Sequence, residues 1–299
     1  MWIVISQCDN HDWMSRVSAR RARIRPVTST PTGKPTSTPR STEPAEAAPR
    51  SGTQSIERAF SVLECLAASA RPLGLTDIAR AVGLNPSTTH RLIRALVAAG
   101  YVEQEPSSDH YQLGIGIAVI GQRALEHSGY HLARPILDDL RERTGESVSL
   151  GVRRDDEVVV IEQATSPSPL RFDHPAGAEI AMHASAMGKV LLAFAATAPA
   201  TTIAALGPFE PFTERTHTTT KQLTRELERV REQGYATNNE ERHIGVCGIA
   251  APVRSQSGRA HAAVGIQGPS VRLTPARLDE LAPMVVRAAN DVAALVIRI

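Results

Sequence analysis

The chain has 299 residues, 42% of them apolar, and a formal net charge of +2, which suits two folded units plus some unpacked sequence rather than one domain. It contains no run of about 18 apolar residues, so no spanning helix is expected; the apolar opening Met1 to Ile5 is too short for a signal peptide's core, and the chain reads as cytoplasmic with no membrane partner. Cys8, Cys65 and Cys247 lie far apart with no CxxC pair, which argues against a disulfide framework and a thiolate zinc site.

The positive charge is local. Residues 1–54 hold eight Lys/Arg against four acids, a net of +4 that leaves about −2 for the rest, so bulk charge is no argument for nucleic-acid binding. From Arg25 to Gly52 the composition is Pro, Thr, Ser, Ala and Arg without aliphatic periodicity. Such a stretch cannot bury enough apolar area to offset its ordering entropy, and residues 1–54 are expected to form a disordered tail. The basic cluster Ser15 to Arg25 reads as part of that solvated tail.

Periodicity begins at Ser55, a candidate N-cap, with Ile56, Ala59, Phe60, Leu63, Leu66 and Ala67 on one helical face up to Arg71-Pro72. A short helix from about Thr76 to Val82 follows, with Ile78, Ala79 and Val82 inward and Gly83 placed for a left-handed C-cap. Asn85-Pro86 then starts a third helix, because Asn is a favoured N-cap and Pro at the first helical position has no amide proton to leave unbonded. Its buried stripe is Thr89, Leu92, Ile93, Leu96 and Val97, opposite Ser87, His90, Arg91 and Arg94, and Gly100 ends it. Tyr101 to Glu105 and His110 to Leu113 flank Pro-Ser-Ser-Asp and read as a small hairpin. Helix, helix, turn, helix, hairpin within residues 55–114 is the order of a winged helix-turn-helix.

Short polar side chains and arginines at the start of such a helix can reach base edges and phosphates in a major groove. Ser87, Thr88, Thr89, His90, Arg91 and Arg94, with His110 on the wing, are the candidate DNA contacts. The same polar face would suit a module that contacts protein instead. Residues 55–114 contain five arginines and six acids, so a single copy would bind weakly and pairing of two copies is expected. The run Leu75 to Leu96, with Gly-Tyr-Val-Glu and Tyr-Gln-Leu-Gly after it, resembles the N-terminal domain of the IclR family of regulators.

Residues 115–129 read as a linker helix with Ile117, Ile120, Ala124 and Leu125 on an apolar face, which in that family helps dimerise. An amphipathic helix with Leu132, Ile136, Leu137 and Leu140 ends at Thr144-Gly145, its last turn carrying Arg141 and Arg143. Two strands, Val148 to Arg153 and Val158 to Gln163, flank Asp155-Asp156. Met182 to Ala193 then reads as a loop feeding a helix, and another helix spans about Leu223 to Gln233 with Thr220 as its cap. The closing elements are a strand region from Gly234, strands at Ile249 to Val253 and Ala260 to Gln267, and a helix from Thr274-Pro275 to the terminus. Residues 130–299 thus suggest one mixed α/β sensor domain, and the whole chain is α+β.

HASAMGK at 183–189, GYATNNEE at 234–241 and GIAAPV at 248–253 resemble the IclR effector domain, whose fold is similar to GAF sensor modules. With the N-terminal match the resemblance covers about residues 55–299. It implies a DNA-binding transcriptional regulator, a repressor more often than an activator, that pairs as a homodimer or tetramer on double-stranded operator DNA and answers a small-molecule effector. It implies no cofactor and no enzymatic activity. Carried over by motif, the effector cleft is bordered by Ala186, Met187, Asn238, Gly248, Gly265 and Gln267, with Phe172 closing it. In members that bind small oxoacids an aspartate stands at 238, a cysteine at 248, and serines at 265 and 267. Glycine in place of side chains suggests an enlarged cleft and a larger effector, an organic or aromatic acid or an amide.

Two other chemistries have partial support in the sequence. Glu241, His243 and Cys247 have the vocabulary of nucleophilic catalysis, but in a strand residues 243 and 247 stand about 13 Å apart. His127 and His131 have helical ligand spacing, interrupted by Gly129, and a bound metal needs further ligands.

Overall fold

The computed structural model describes residues 52–196 and 208–296, with 201, 203, 204 and 206 between them. The tail expected over 1–54 therefore lies outside the described residues except for its last three. The chain divides near Arg123/Ala124 into two compact units.

In the first unit, α1 (Gly52–Ala67) is followed by β1 (Leu73–Gly74), α2 (Leu75–Ala81), α3 (Pro86–Ala98), β2 (Val102–Gln104) and β3 (His110–Leu113). Helix α1 begins three residues before the expected cap, so Ser55 lies inside it. The antiparallel sheet has the order β1-β3-β2; its first strand is too short to leave a periodic trace and was not expected. Val62, Cys65, Leu66, Ile78, Val82, Ile93 and Leu96 form the core with Leu73, Val102 and Tyr111 from the sheet. Burial pushes the Cys65 thiol up to about 12, so it stays protonated.

The start of α3 forms as its residues dictate. The Asn85 side chain accepts a hydrogen bond from the Thr88 amide at 2.8 Å, and Pro86 occupies the first turn. Gly83, at φ 63°, turns the chain from α2 into this cap. Replacing Asn85 by Ala is expected to cost about 1 kcal/mol of stability, read as a lower midpoint in urea denaturation of the full chain. An unchanged midpoint would show that Pro86 alone sets the helix start.

Helix α4 (Ile115–Ser128) buries none of its residues, and Ile115, Val119 and Ile120 are more than half exposed. Its first amide is capped by the Glu103 carboxylate of β2 at 3.2 Å.

The second unit is built on a six-stranded antiparallel sheet of order β6-β5-β4-β9-β8-β7, comprising β4 (Ser147–Arg154), β5 (Glu157–Ala164), β6 (Glu179–Ala181), β7 (Ala236–Asn239), β8 (Val246–Arg254) and β9 (Ala260–Pro269). Strand alternation sends Val148, Leu150, Ile249, Ala251, Val264 and Ile266 to one face, covered by α5 (Arg134–Thr144) and α8 (Pro275–Val296). The other face carries small residues, among them Ala250 and Ala263, under α6 (Ala186–Ala193) and α7 (Thr220–Gln233). Thr219, one residue earlier than expected, caps α7 through a reciprocal bond pair with Gln222. Gly188 lets α6 lie against the preceding loop, because a Cβ there would stand 2.2 Å from the Met182 carbonyl oxygen.

Candidate functional site

On α3 the expected outer face is largely in place. Ser87, His90, Arg91 and Arg94 are exposed and Thr88 is half-buried. Neither Arg91 nor Arg94 has an acid partner among the described residues, whereas Arg80 on α2 is paired with Asp77 at 3.0 Å. Ser87 donates its hydroxyl proton to the Asn85 side chain at 3.0 Å, which keeps its oxygen as an acceptor. Two expectations need correction. Thr89 is fully buried, with its hydroxyl on the Asn85 carbonyl at 3.1 Å, so it belongs to the core stripe and not to a contact surface. Val97, expected inside, is exposed, and the buried stripe of the helix ends at Leu96.

His110 is exposed at the start of β3, opposite Gly74. The hairpin tip around it carries Glu105 and Asp109, bonded to Ser108 and Gln104. The wing thus offers carboxylates rather than cations, and phosphate attraction falls to α3.

In the second unit all seven motif-derived residues meet. Phe172, Ala186, Met187 and Asn238, together with Gly248, Gly265 and Gln267, line one cleft on the α6 face of the sheet. His174, Ser185, Arg242 and His243 also line it; Ser185 belongs to the HASAMGK motif and His243 to the Glu241, His243 and Cys247 set, whereas His174 and Arg242 lie outside both. The polar groups converge as donors. The Asn238 side-chain oxygen accepts the Glu241 backbone amide at 2.8 Å, so the side chain's remaining hydrogen-bonding capacity is mainly its NH₂ donor. Arg242 contributes a guanidinium, with its Nε donating to His243 Nε2 at 3.3 Å. The first-turn amides of α6, at Ala186 and Met187, have no carbonyl within their own helix to bond. Burial, and then the neighbouring Arg242 and His243, push His174 down to about 3, so its imidazole is neutral. Gln267 donates to Ser149 Oγ at 3.1 Å and closes one wall.

The expected enlargement is not found. A Cβ at Gly248 would meet the Ile266 carbonyl oxygen at 2.7 Å, and one at Gly265 would meet Met187 Cγ at 2.9 Å. The space that glycine releases is already filled, and the free volume of the cleft is about 30 Å³, room for a water or two.

Beneath the cleft lies a charged group that the sequence reading left without a role. Lys189 is fully buried and its ammonium donates to Glu226 at 3.0 Å and to both oxygens of Glu241 at 2.7 and 2.9 Å. Burial alone would raise the Glu226 carboxyl, but Lys189, and then Arg229, bring it below its ordinary value. The network ties α6 to the 238–243 turn, so the two walls that carry Met187 and Asn238 share one anchor. It also disposes of the nucleophile reading: Glu241 is held by Lys189 while the Cys247 thiol, raised by burial and then by Glu240, bonds Asn239 at 3.6 Å. His131 bonds the Leu125 carbonyl at 3.2 Å, and among the described residues no group of three His, Cys, Asp or Glu could hold a metal. No described helix is long and apolar enough to cross a membrane.

Two family models match: one described as the IclR helix-turn-helix domain over residues 55–106, and one as the bacterial transcriptional regulator IclR C-terminal over 124–294. The chain is 35% identical to the HTH-type transcriptional regulator BhcR of Paracoccus denitrificans over 80% of its own length and 86% of that protein. It is 32% identical to the transcriptional repressor IclR of Escherichia coli over 85% and 94% respectively. Among solved structures, it is similar at a TM-score of 0.71 and 23% identity to an IclR homologue from Microbacterium hydrocarbonoxydans complexed with 4-hydroxybenzoate, covering 82% of this chain and 99% of that one.

Proposed function

We infer the function from a family relationship: the chain belongs to the IclR family of bacterial transcriptional regulators, with a helix-turn-helix unit followed by an effector-binding domain. We propose that it acts as a repressor, that Ser87, Thr88, His90, Arg91 and Arg94 contact operator DNA with His110 on the wing, and that an organic acid in the cleft sets operator affinity. The observation that carries the DNA reading is the outer face of α3, where Arg91 and Arg94 stand exposed without acid partners among the described residues. The carboxylate class of the effector rests on the donors that converge in the cleft, namely Asn238, Arg242 and the α6 amides, which favour an anion.

Dimerisation follows from two considerations. Five arginines against six acids make a single reading head a weak ligand for DNA, and the exposed Ile115, Val119 and Ile120 of α4 are a face that a second copy would cover. Two copies of α3 would then enter successive major grooves of a near-palindromic site.

The test uses the full chain and duplexes selected from a random pool. Retention should fall steeply with salt, with sedimentation giving two chains per duplex; salt-independent binding would point to a protein-contacting module instead. Asn238→Ala removes the side-chain NH₂ donor together with the cap on the Glu241 amide. It is expected to weaken carboxylic-acid binding at least tenfold, the loss of one bond to a charged group being about 1.5 to 3 kcal/mol, while unliganded DNA affinity is unchanged. An equal loss of both would signal a folding effect.

A further inference from the structure

Glycines 151 and 265 sit diagonally on adjacent strands: Ser149 faces Gly265 across β4 and β9, and Gly151 lies two residues on, on the same face. Met187 packs against both. A Cβ at Gly265 would stand 2.9 Å from Met187 Cγ and 3.3 Å from its sulfur, and one at Gly151 would stand 2.6 Å from Val158 Cγ1 and 3.2 Å from the Met187 sulfur. The Met187 thioether is therefore bedded in a two-glycine pit on the cleft floor, 4% exposed. Around it the cleft leaves about 30 Å³, too little for the ring of an aromatic acid.

Something must move before an effector can enter, and Met187 is the side chain suited to move. It is unbranched, with three rotatable bonds and a soft thioether, whereas Gln267 is tied to Ser149 and Ser185 is fixed by bonds to Ala181 and Gly188. What its departure exposes is the Gly265 backbone, with Gly151 and the Val158 methyl beside it, rimmed by the rings of Phe172, His174 and His243, which already pack edge to face or tilted at 4.9 and 5.4 Å. Aromatic edges favour another ring.

We propose that Met187 is the specificity-determining plug of the cleft, occupying the ring subsite until an aromatic carboxylic acid displaces it. The acid group faces Asn238 and Arg242, and the ring lies on Gly151 and Gly265. This rests on reading the cleft as the effector site. A purely structural Met187, filling the gap between α6 and the sheet, is the competing account.

Calorimetry on the full chain with benzoate, 4-hydroxybenzoate and pyruvate separates them. Met187→Ala, which removes the plug, is expected to bind the two aromatic acids at least tenfold more tightly than the parent. Met187→Ile, whose β-branched side chain is held in one rotamer on a helix, is expected to bind them at least tenfold more weakly. Pyruvate, too short to reach the pit, should change less than threefold in either. Aromatic acids bound equally by all three proteins would overturn the plug and leave the effector site standing; no acid bound by any of them would overturn the effector reading itself.

Should Met187→Ala fail to fold, methyl-labelled methionine in the parent chain supplies the answer. The Met187 methyl signal, identified by its loss in Met187→Leu, should shift at benzoate saturation while that of Met182, buried in the neighbouring core, stays in place. A Met187 signal unmoved with benzoate bound would also overturn the proposal.

Discussion

Replacing Lys189 by methionine is expected to destabilise the effector-binding unit by about 3 to 5 kcal/mol at pH 7, the usual cost of removing one partner from a buried ion cluster. Glu226 and Glu241 would be left facing one another with the ammonium gone, in a site where their exposed fractions are 8% and 6%. Arg229 reaches Glu226 from the surface at 3.1 Å and does not replace Lys189, because its own side chain is more than half exposed. The measurement is urea denaturation of the full chain followed by far-ultraviolet circular dichroism.

The pH dependence identifies the cause. In the parent, the Glu226 carboxyl lies below its ordinary value of 4.5. Its ion pair therefore stabilises the fold above that value, and the contribution is lost as pH falls through the folded-state pKa. In the variant the sense reverses, since burial and a second carboxylate both favour the protonated form. The difference between the two proteins should therefore be largest near neutrality and shrink below about pH 5. A gap that does not change with pH would mean that Lys189 matters only for packing. Adding Glu226→Gln and Glu241→Gln to the variant should recover part of the loss, because a neutral cluster has no uncompensated charge.

This cluster also marks where the sequence stops being readable. The start of α3 was legible because Asn85, Pro86 and Gly83 act on their own backbone within a few residues. The strands flanking Asp155 were legible too, since Asp155 takes a positive φ of 54° at the turn and the runs on either side have strand composition. Lys189 carries a usable signal. A lone cation within Ala-Met-Gly-Lys-Val-Leu-Leu-Ala on a buried helix needs carboxylate partners, and Glu226 and Glu241 come from elements 37 and 52 residues away. The cleft residues were recognisable only through motif resemblance, because β7, β8 and β9 contribute to it by register and not by adjacency. Its size was misjudged for the same reason. Glycine at 265 reads as space in one dimension, and only packing shows that Met187 fills it.

Arg91→Ala is expected to lower operator affinity about 30-fold or more without altering the denaturation midpoint. One good base contact is worth about 1 to 3 kcal/mol, and a dimer loses two of them. The wing cannot compensate, since its tip carries Glu105 and Asp109, and Arg94 is the next exposed cation along the same face. The form of the loss tells which atom Arg91 touches. A phosphate contact would weaken all duplexes alike and reduce the salt slope by about 1 per contact, whereas a base contact would keep the slope and relax preference at one symmetric pair of positions. Arg80→Ala is the matched control, for that guanidinium is already paired with Asp77 on α2 and is expected to change affinity less than threefold. Equal effects at Arg80 and Arg91 would reduce both to general charge, and the assignment of α3 as the reading helix would fall with them.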